Sequence, residues 1–228
     1  ASVWNVLKRL KKKNRVIRLQ RGAYLFAPMR SGEEGLWTED AFRIVPELVR
    51  GNYYIGFISA MNYWGMTEQL PIIVYVALTR QKHSLEAVQA KYVFIKKRSL
   101  GDFVPISFGS AMINISSVEQ TILDGLSFPK YCTGLEGVAK AIWFTRKKID
   151  WEKLILLAKK DKSIVRRRLG YTLVLLGLKK QAKELEFGYK GFAWFDPTAQ
   201  KTNFKYCKKW GMKINIEGLK MLEFQKGY

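Results

Sequence analysis

Lys8, Arg9, Lys11, Lys12, Lys13, Arg15, Arg18, Arg21 and Arg30 put nine positive charges into the first 32 residues, with no Asp or Glu among them. Such side chains suit one chemistry well: their ammonium and guanidinium groups displace the counterions around a phosphate backbone and hydrogen-bond its oxygens. The competing use is a solvated face on an ordinary amphipathic helix. The lack of any acid favours polyanion binding, since a face kept for solubility carries both signs. The whole chain leans the same way, with 40 Lys plus Arg against 19 Asp plus Glu, a net charge of +21 and a pI of about 10.0. Three further clusters are Arg146-Lys147-Lys148, Lys159-Lys160 and Arg166-Arg167-Arg168. These are either secondary patches extending a nucleic-acid track or cations that favour the negative end of a helix dipole.

Catalytic chemistry is harder to find. None of the 19 acidic residues has Lys two places after it, so the acidic-x-Lys element of restriction-type nucleases is missing. Asp150 and Glu152, downstream of Gly109-Ser110, faintly suggest the paired magnesium carboxylates of a nucleotidyltransferase. The separation from Gly109-Ser110 is too long, and helix capping by Asp150 with Glu152 in the first turn accounts for the pair more simply. No phosphate-binding Gly-rich loop, nucleophile elbow or dinucleotide loop occurs. His83 is the one histidine, and Cys132 and Cys207 the two cysteines, too few soft ligands for a structural zinc site. The expectation is a protein that is not an enzyme, holds no metal or cofactor, and keeps both cysteines as thiols.

The elements that must position the basic residues follow from periodicity. Val3, Val6, Leu7 and Leu10 recur at helical spacing behind Ser2, a suitable N-cap. Residues 16–19 and 23–26 read as two strands joined around Gln20-Arg21-Gly22, so a helix feeds a basic hairpin. A short helix is expected over 37–48, another over 59–63, and a buried strand over 72–76. Further strands are expected over 93–95, 103–108 and 112–115. Helices are then expected over 117–126, 134–145, 151–159 and 163–176, with strand-like aromatic segments at 192–195 and 212–216. Trp4, Trp37, Trp64, Trp143, Trp151, Trp194 and Trp210 are spaced mostly as core residues. The longest apolar run, 71–78, is far short of the roughly 18 residues of a membrane span. A cytoplasmic protein without membrane association is therefore expected. The fold class is α+β: a small module of helix plus basic hairpin over 1–50, then a larger mixed domain over 51–228 able to keep its own core.

Read in order, several segments resemble the AbiEi family of transcriptional regulators, the antitoxins of phage-defence systems. Val16-Ile-Arg-Leu-Gln-Arg-Gly-Ala-Tyr-Leu-Phe26 is similar to the wing of that family's winged helix. Ile58-Ser-Ala-Met-Asn-Tyr-Trp-Gly-Met-Thr-Glu-Gln-Leu-Pro71 and Ser116-Ser-Val-Glu-Gln-Thr-Ile-Leu-Asp-Gly125 resemble its central motif. Arg167-Arg-Leu-Gly-Tyr171, Asp196-Pro197 and Lys209-Trp-Gly-Met-Lys-Ile-Asn215 resemble its C-terminal elements. A winged helix sets two helices ahead of its recognition helix and wing, whereas about a dozen residues precede the hairpin here, so the module in this chain reads as incomplete.

The resemblance implies a DNA-binding repressor of its own promoter region that is also the antitoxin of an AbiE-like toxin–antitoxin system. The toxin would be a nucleotidyltransferase, neutralised with or without direct contact. In that frame Asn5, Lys8, Arg9 and Lys12 face the groove, Arg15, Arg18 and Arg21 hold the backbone, and Lys11 and Lys13 complete the basic surface. A non-catalytic RNA-binding protein is the first alternative. A nuclease-like enzyme with an unrecognised site is the second.

Overall fold

The computed structural model describes residues 2–12, 16–20, 23–26, 38–70, 72–87, 90–108 and 111–216. Side chains at 17–20, 23, 25–26 and 38–40 lie outside the description. The fold is α+β, and the described residues divide into two compact units. Residues 1–55, 70–100 and 104–115 form the first, and 56–69, 101–103 and 116–228 the second. The boundary drawn from composition, between residues 50 and 51, falls inside the first unit. Among the described residues no helix is long and apolar enough to cross a membrane.

The first unit starts with helix α1 (Val3–Lys12), whose N-cap Ser2 accepts a hydrogen bond from the Trp4 amide at 3.3 Å. Strands β1 (Val16–Gln20) and β2 (Ala23–Phe26) pair antiparallel as a hairpin, with α1 packed against β1. Val16 is buried and anchors the hairpin to the unit. Short helices α2 (Thr38–Arg43) and α3 (Val45–Leu48) follow, burying Ala41, Phe42, Ile44, Val45 and Leu48.

A six-stranded sheet carries the rest of this unit. Its members are β3 (Tyr53–Ile55), β4 (Ile73–Leu78), β5 (Leu85–Ala87), β6 (Ala90–Lys96), β7 (Phe103–Phe108) and β8 (Ala111–Ser116), in the spatial order β5-β6-β4-β3-β8-β7. β4 runs parallel to β6 and antiparallel to β3, which in turn runs parallel to β8. Central β4 buries Val74, Val76, Ala77 and Leu78, and its apolar, β-branched sequence Ile73-Val-Tyr-Val-Ala-Leu78 suits that place. The Tyr92 hydroxyl on β6 donates to the Ala41 carbonyl at 2.9 Å, and the Phe42 and Phe108 rings meet at 6.2 Å. These contacts fasten α2 to the sheet. Burial pushes the Tyr92 hydroxyl pKa well above that of a free tyrosine.

The second unit is mainly helical. Helix α4 (Phe57–Tyr63) packs on α5 (Val118–Ser127), followed by a single 3-10 turn (Pro129–Tyr131), α6 (Gly134–Thr145), α7 (Trp151–Lys160), α8 (Ser163–Leu175) and α9 (Lys179–Lys183). The caps are those the residue types favour: Ser117 accepts from the Gln120 amide at 3.2 Å, and Asp150 from the Lys153 amide at 3.0 Å. β9 (Ala193–Trp194), β10 (Lys205–Cys207) and β11 (Met212–Ile214) close the unit as a three-stranded sheet in the order β10-β11-β9.

Gly170 on α8 sits where the Trp210 indole crosses the helix, so that a Cβ there would overlap the ring. Trp210 is 1% exposed, hence unable to retreat into solvent. Gly170→Ala is therefore expected to lower the stability of this unit by about 1–3 kcal/mol, the usual cost of overpacking a filled core, rather than gain from better helix propensity. A urea denaturation midpoint at or above that of the parent protein would refute this packing argument.

Candidate nucleic-acid interface

On α1, Asn5, Lys8, Arg9 and Lys12 fall at i, i+3, i+4 and i+7, so they form one stripe roughly 10 Å long at 1.5 Å of rise per residue. All four are exposed, as is Lys11 on its flank. The opposite stripe consists of Val6, Leu7 and Leu10, each half-buried. Amphipathicity thus turns the basic residues outward and the aliphatic ones toward the unit. No acid lies in the first turn, and Arg9, Lys11 and Lys12 occupy the last, where the helix dipole favours cations. Trp4 departs from its expected place in the core: it is 64% exposed, with the Lys8 ammonium 5.4 Å from its ring centre.

Arg18 lies on β1, where its backbone pairs with Tyr24 ahead of a register shift before Gln20. Its side chain lies outside the described residues, and so do Lys13, Arg15 and Arg21 entirely. Among the predicted interface residues, the structure therefore brings Asn5, Lys8, Arg9, Lys11 and Lys12 together on one exposed helix.

The secondary clusters behave differently. Lys147 and Lys148 are exposed, but Arg146 stacks 3.9 Å from the Trp143 ring centre and donates to the Trp143 carbonyl at 2.5 Å. Arg166, Arg167 and Arg168 do not form a shared surface patch. Successive helical residues point about 100° apart, and here each guanidinium meets different backbone carbonyls. Arg166 donates to those of Leu185 and Glu186, and Arg167 to those of Lys190, Gly191 and Gly211. Arg168, 6% exposed, donates to the carbonyls of Leu126 at 2.7 Å, Phe195 at 2.8 Å and Trp194 at 3.3 Å. For Arg166 and Arg167 the physical reason is that residues 184–192 have no ladder partners, and a planar fork of donors satisfies several such carbonyls at once.

The motif at 116–125 forms a buried polar network at the start of α5. Glu119 accepts from the Asp150 amide at 3.1 Å and lies 3.4 Å from the Lys153 ammonium, which reaches Asp102 at 2.7 Å. The Asp102 amide donates to Gln120 at 3.1 Å, and Gln120 donates to Asp124 at 2.8 Å. The Ser116 and Thr121 hydroxyls are 2.7 Å apart, while the Trp64 indole donates to the Ser116 carbonyl at 2.8 Å. Burial alone would raise the Asp102 carboxyl, but Lys153 and Ser117 outweigh it and hold it below the usual carboxylate range. The network joins α4, α5 and the start of α7. Asp150, as expected, spends its carboxylate on the helix cap.

Sequence reasoning missed one surface. Registers Tyr206↔Lys213 and Lys213↔Trp194 align these three side chains across β10, β11 and β9, and Phe204 and Phe192 share their face at i±2. Phe192, Phe204 and Tyr206 are exposed, and Trp194 and Lys213 half-buried. The reverse face carries Met212 and, beyond Ala193, Phe195, both buried. The alternation Phe192-x-Trp194 and Phe204-x-Tyr206 was the available signal.

No family model matches the chain, and no curated protein does either. Among solved structures, the chain is similar to the crystal structure of the RV2827C protein from Mycobacterium tuberculosis, with a TM-score of 0.73 at 12% identity over 99% of this chain and 84% of that one. At that identity the likeness is one of fold.

Proposed function

We propose that the chain is a DNA-binding transcriptional regulator, a repressor of its own promoter region, that grips duplex DNA through α1 and the β1–β2 hairpin. The observation that carries this reading is the solvent-facing stripe of Asn5, Lys8, Arg9 and Lys12 in an N-terminal segment without a single acid. A helix studded this way meets phosphates along its flanks and base edges along its crest. The motifs that resemble the AbiEi family extend the proposal: the regulator is also the antitoxin of an AbiE-like system, in the cytoplasm, opposed to a nucleotidyltransferase toxin. Its role there is regulatory rather than catalytic, with neither metal nor cofactor required.

Labelled promoter duplex, an unrelated duplex and structured RNA, titrated at several salt concentrations, test the first part. Replacing Arg18 and Arg21 by Ala is expected to weaken duplex binding and to lower the salt slope by roughly one unit per lost phosphate contact. Unchanged affinity and slope would remove the hairpin from the interface. Changing Lys8 or Arg9 to Ala is expected also to alter the preference for promoter over unrelated duplex, since a bidentate base contact carries about 1–3 kcal/mol of discrimination. Growth of cells that co-express the toxin tests the second part.

A further inference from the structure

The outer face of the β9–β10–β11 sheet holds an aromatic cluster with no part in the duplex-binding reading. The Phe192 and Tyr206 rings are 4.8 Å apart, Phe204 and Tyr206 5.2 Å, and Trp194 and Phe204 5.0 Å. Each pair meets edge to face, at 69° to 83°, which fixes ring orientations before any partner arrives. Tyr206 is 58% exposed, an unusual position for so large a ring unless a partner covers it. Lys213, on the central strand, holds its ammonium 5.0 Å from the Trp194 ring centre and 5.4 Å from that of Phe204.

The surrounding charge selects the partner. Residues 187–216 contain six lysines (Lys190, Lys201, Lys205, Lys208, Lys209 and Lys213) and one acid, Asp196, which is buried; of the six, Lys209 is ion-paired with Glu186 at 2.6 Å. Protein-binding patches rich in aromatic residues are depleted in lysine. Exposed rings in a lysine-rich segment, one lysine held against them, instead match a single polynucleotide strand, whose bases stack on the rings while its phosphates meet the ammonium groups. Duplex bases are already stacked on one another and cannot reach the rings. In a cell, DNA is held mostly as duplex, and the common unpaired strand is RNA.

We infer that this sheet face binds unpaired RNA, with Tyr206, Phe204 and Trp194 as stacking platforms and Lys213 meeting the backbone. The site is separate from the α1 stripe, so its success or failure leaves the duplex reading untouched.

The test uses the full chain and labelled, unstructured oligoadenylate, with oligo-dT of equal length and promoter duplex alongside. Removing both rings (Phe204→Ala with Tyr206→Ala) is expected to weaken oligoadenylate binding by roughly 5- to 100-fold per ring lost, with duplex affinity unchanged. Tyr206→Phe is expected to keep the affinity, because it keeps the ring. A 4-thiouridine-bearing oligonucleotide, irradiated on the unaltered protein, should crosslink to peptides containing Phe192–Trp194 or Phe204–Tyr206, which reads the site without any variant. Crosslinks confined to other peptides, equal RNA affinity in the double variant, or tighter binding of oligo-dT would each overturn the proposal. So would self-association that the double variant abolishes without any RNA binding, since the face would then be a contact between copies of the chain.

Discussion

A fragment starting at Gly51 is expected to lose the cooperative unfolding of its sheet, while one starting at residue 36 keeps it. The cut at Gly51 removes Phe42, Ile44, Val45, Leu48 and Val49, all buried in the first unit. At about 1.5–3 kcal/mol for each large apolar side chain, the loss is on the order of 10 kcal/mol, comparable to the whole stability of an ordinary domain. The Tyr92 hydroxyl also loses its acceptor at the Ala41 carbonyl. Starting at residue 36 removes α1 and the hairpin, which contribute the single buried anchor Val16 among their described side chains. Hydrogen exchange at the amides of β4 and β6 distinguishes the two fragments: slow exchange in the Gly51 fragment would show that α2 and α3 are dispensable. The longer fragment is also expected to lose duplex binding while remaining folded, which separates the grip on DNA from the sheet beneath it.

The second large effect is expected at Arg168. Replacing it by Met preserves most of the aliphatic volume but leaves the carbonyls of Leu126, Trp194 and Phe195 without the donors they now share. Buried acceptors stripped of a charged donor cost several kcal/mol, so a loss of about 3–5 kcal/mol is expected for the second unit. Arg168→Lys is expected to recover only part of it, because one ammonium cannot span three carbonyls contributed by α5, β9 and the residue after β9. Urea midpoints of the three proteins give the comparison, and a Met variant within about 1 kcal/mol of the parent would mean that water replaces the guanidinium.

Much of the fold was legible where periodicity and caps agreed. Helix α6 covers the residues expected of it, and α7 and α8 differ by one residue at one end. Strands β3, β5 and β10, of three residues each, were not anticipated, because so short a segment carries less than two periods of alternation. Their existence rests on partners distant in sequence. The α1 stripe could be read from spacing alone, since the helix has an apolar side to orient it. Arg166, Arg167 and Arg168 could not: three adjacent arginines look alike as text, and the destination of each depends on which backbone carbonyls the fold brings to it. Tryptophan misled in a similar way. Trp210 is buried as expected, while Trp4 and Trp194 are held at surfaces, and residue type does not separate these cases.

The chain visits its second unit three times, leaving after Gln69 and again after Phe103 before it returns at Ser116 to stay. During synthesis this order matters. Helix α4, with Phe57, Ala60 and Met61 destined for burial, leaves the ribosome before β4, β5, β6 and β8, yet the helix it packs on, α5, starts only at Val118. Until then that packing partner is missing, so α4 waits for it through the whole period in which the sheet is made. Apolar surface exposed in this way makes a partly made chain prone to aggregate at one identifiable stage. For this one, that stage ends when α5 clears the exit tunnel.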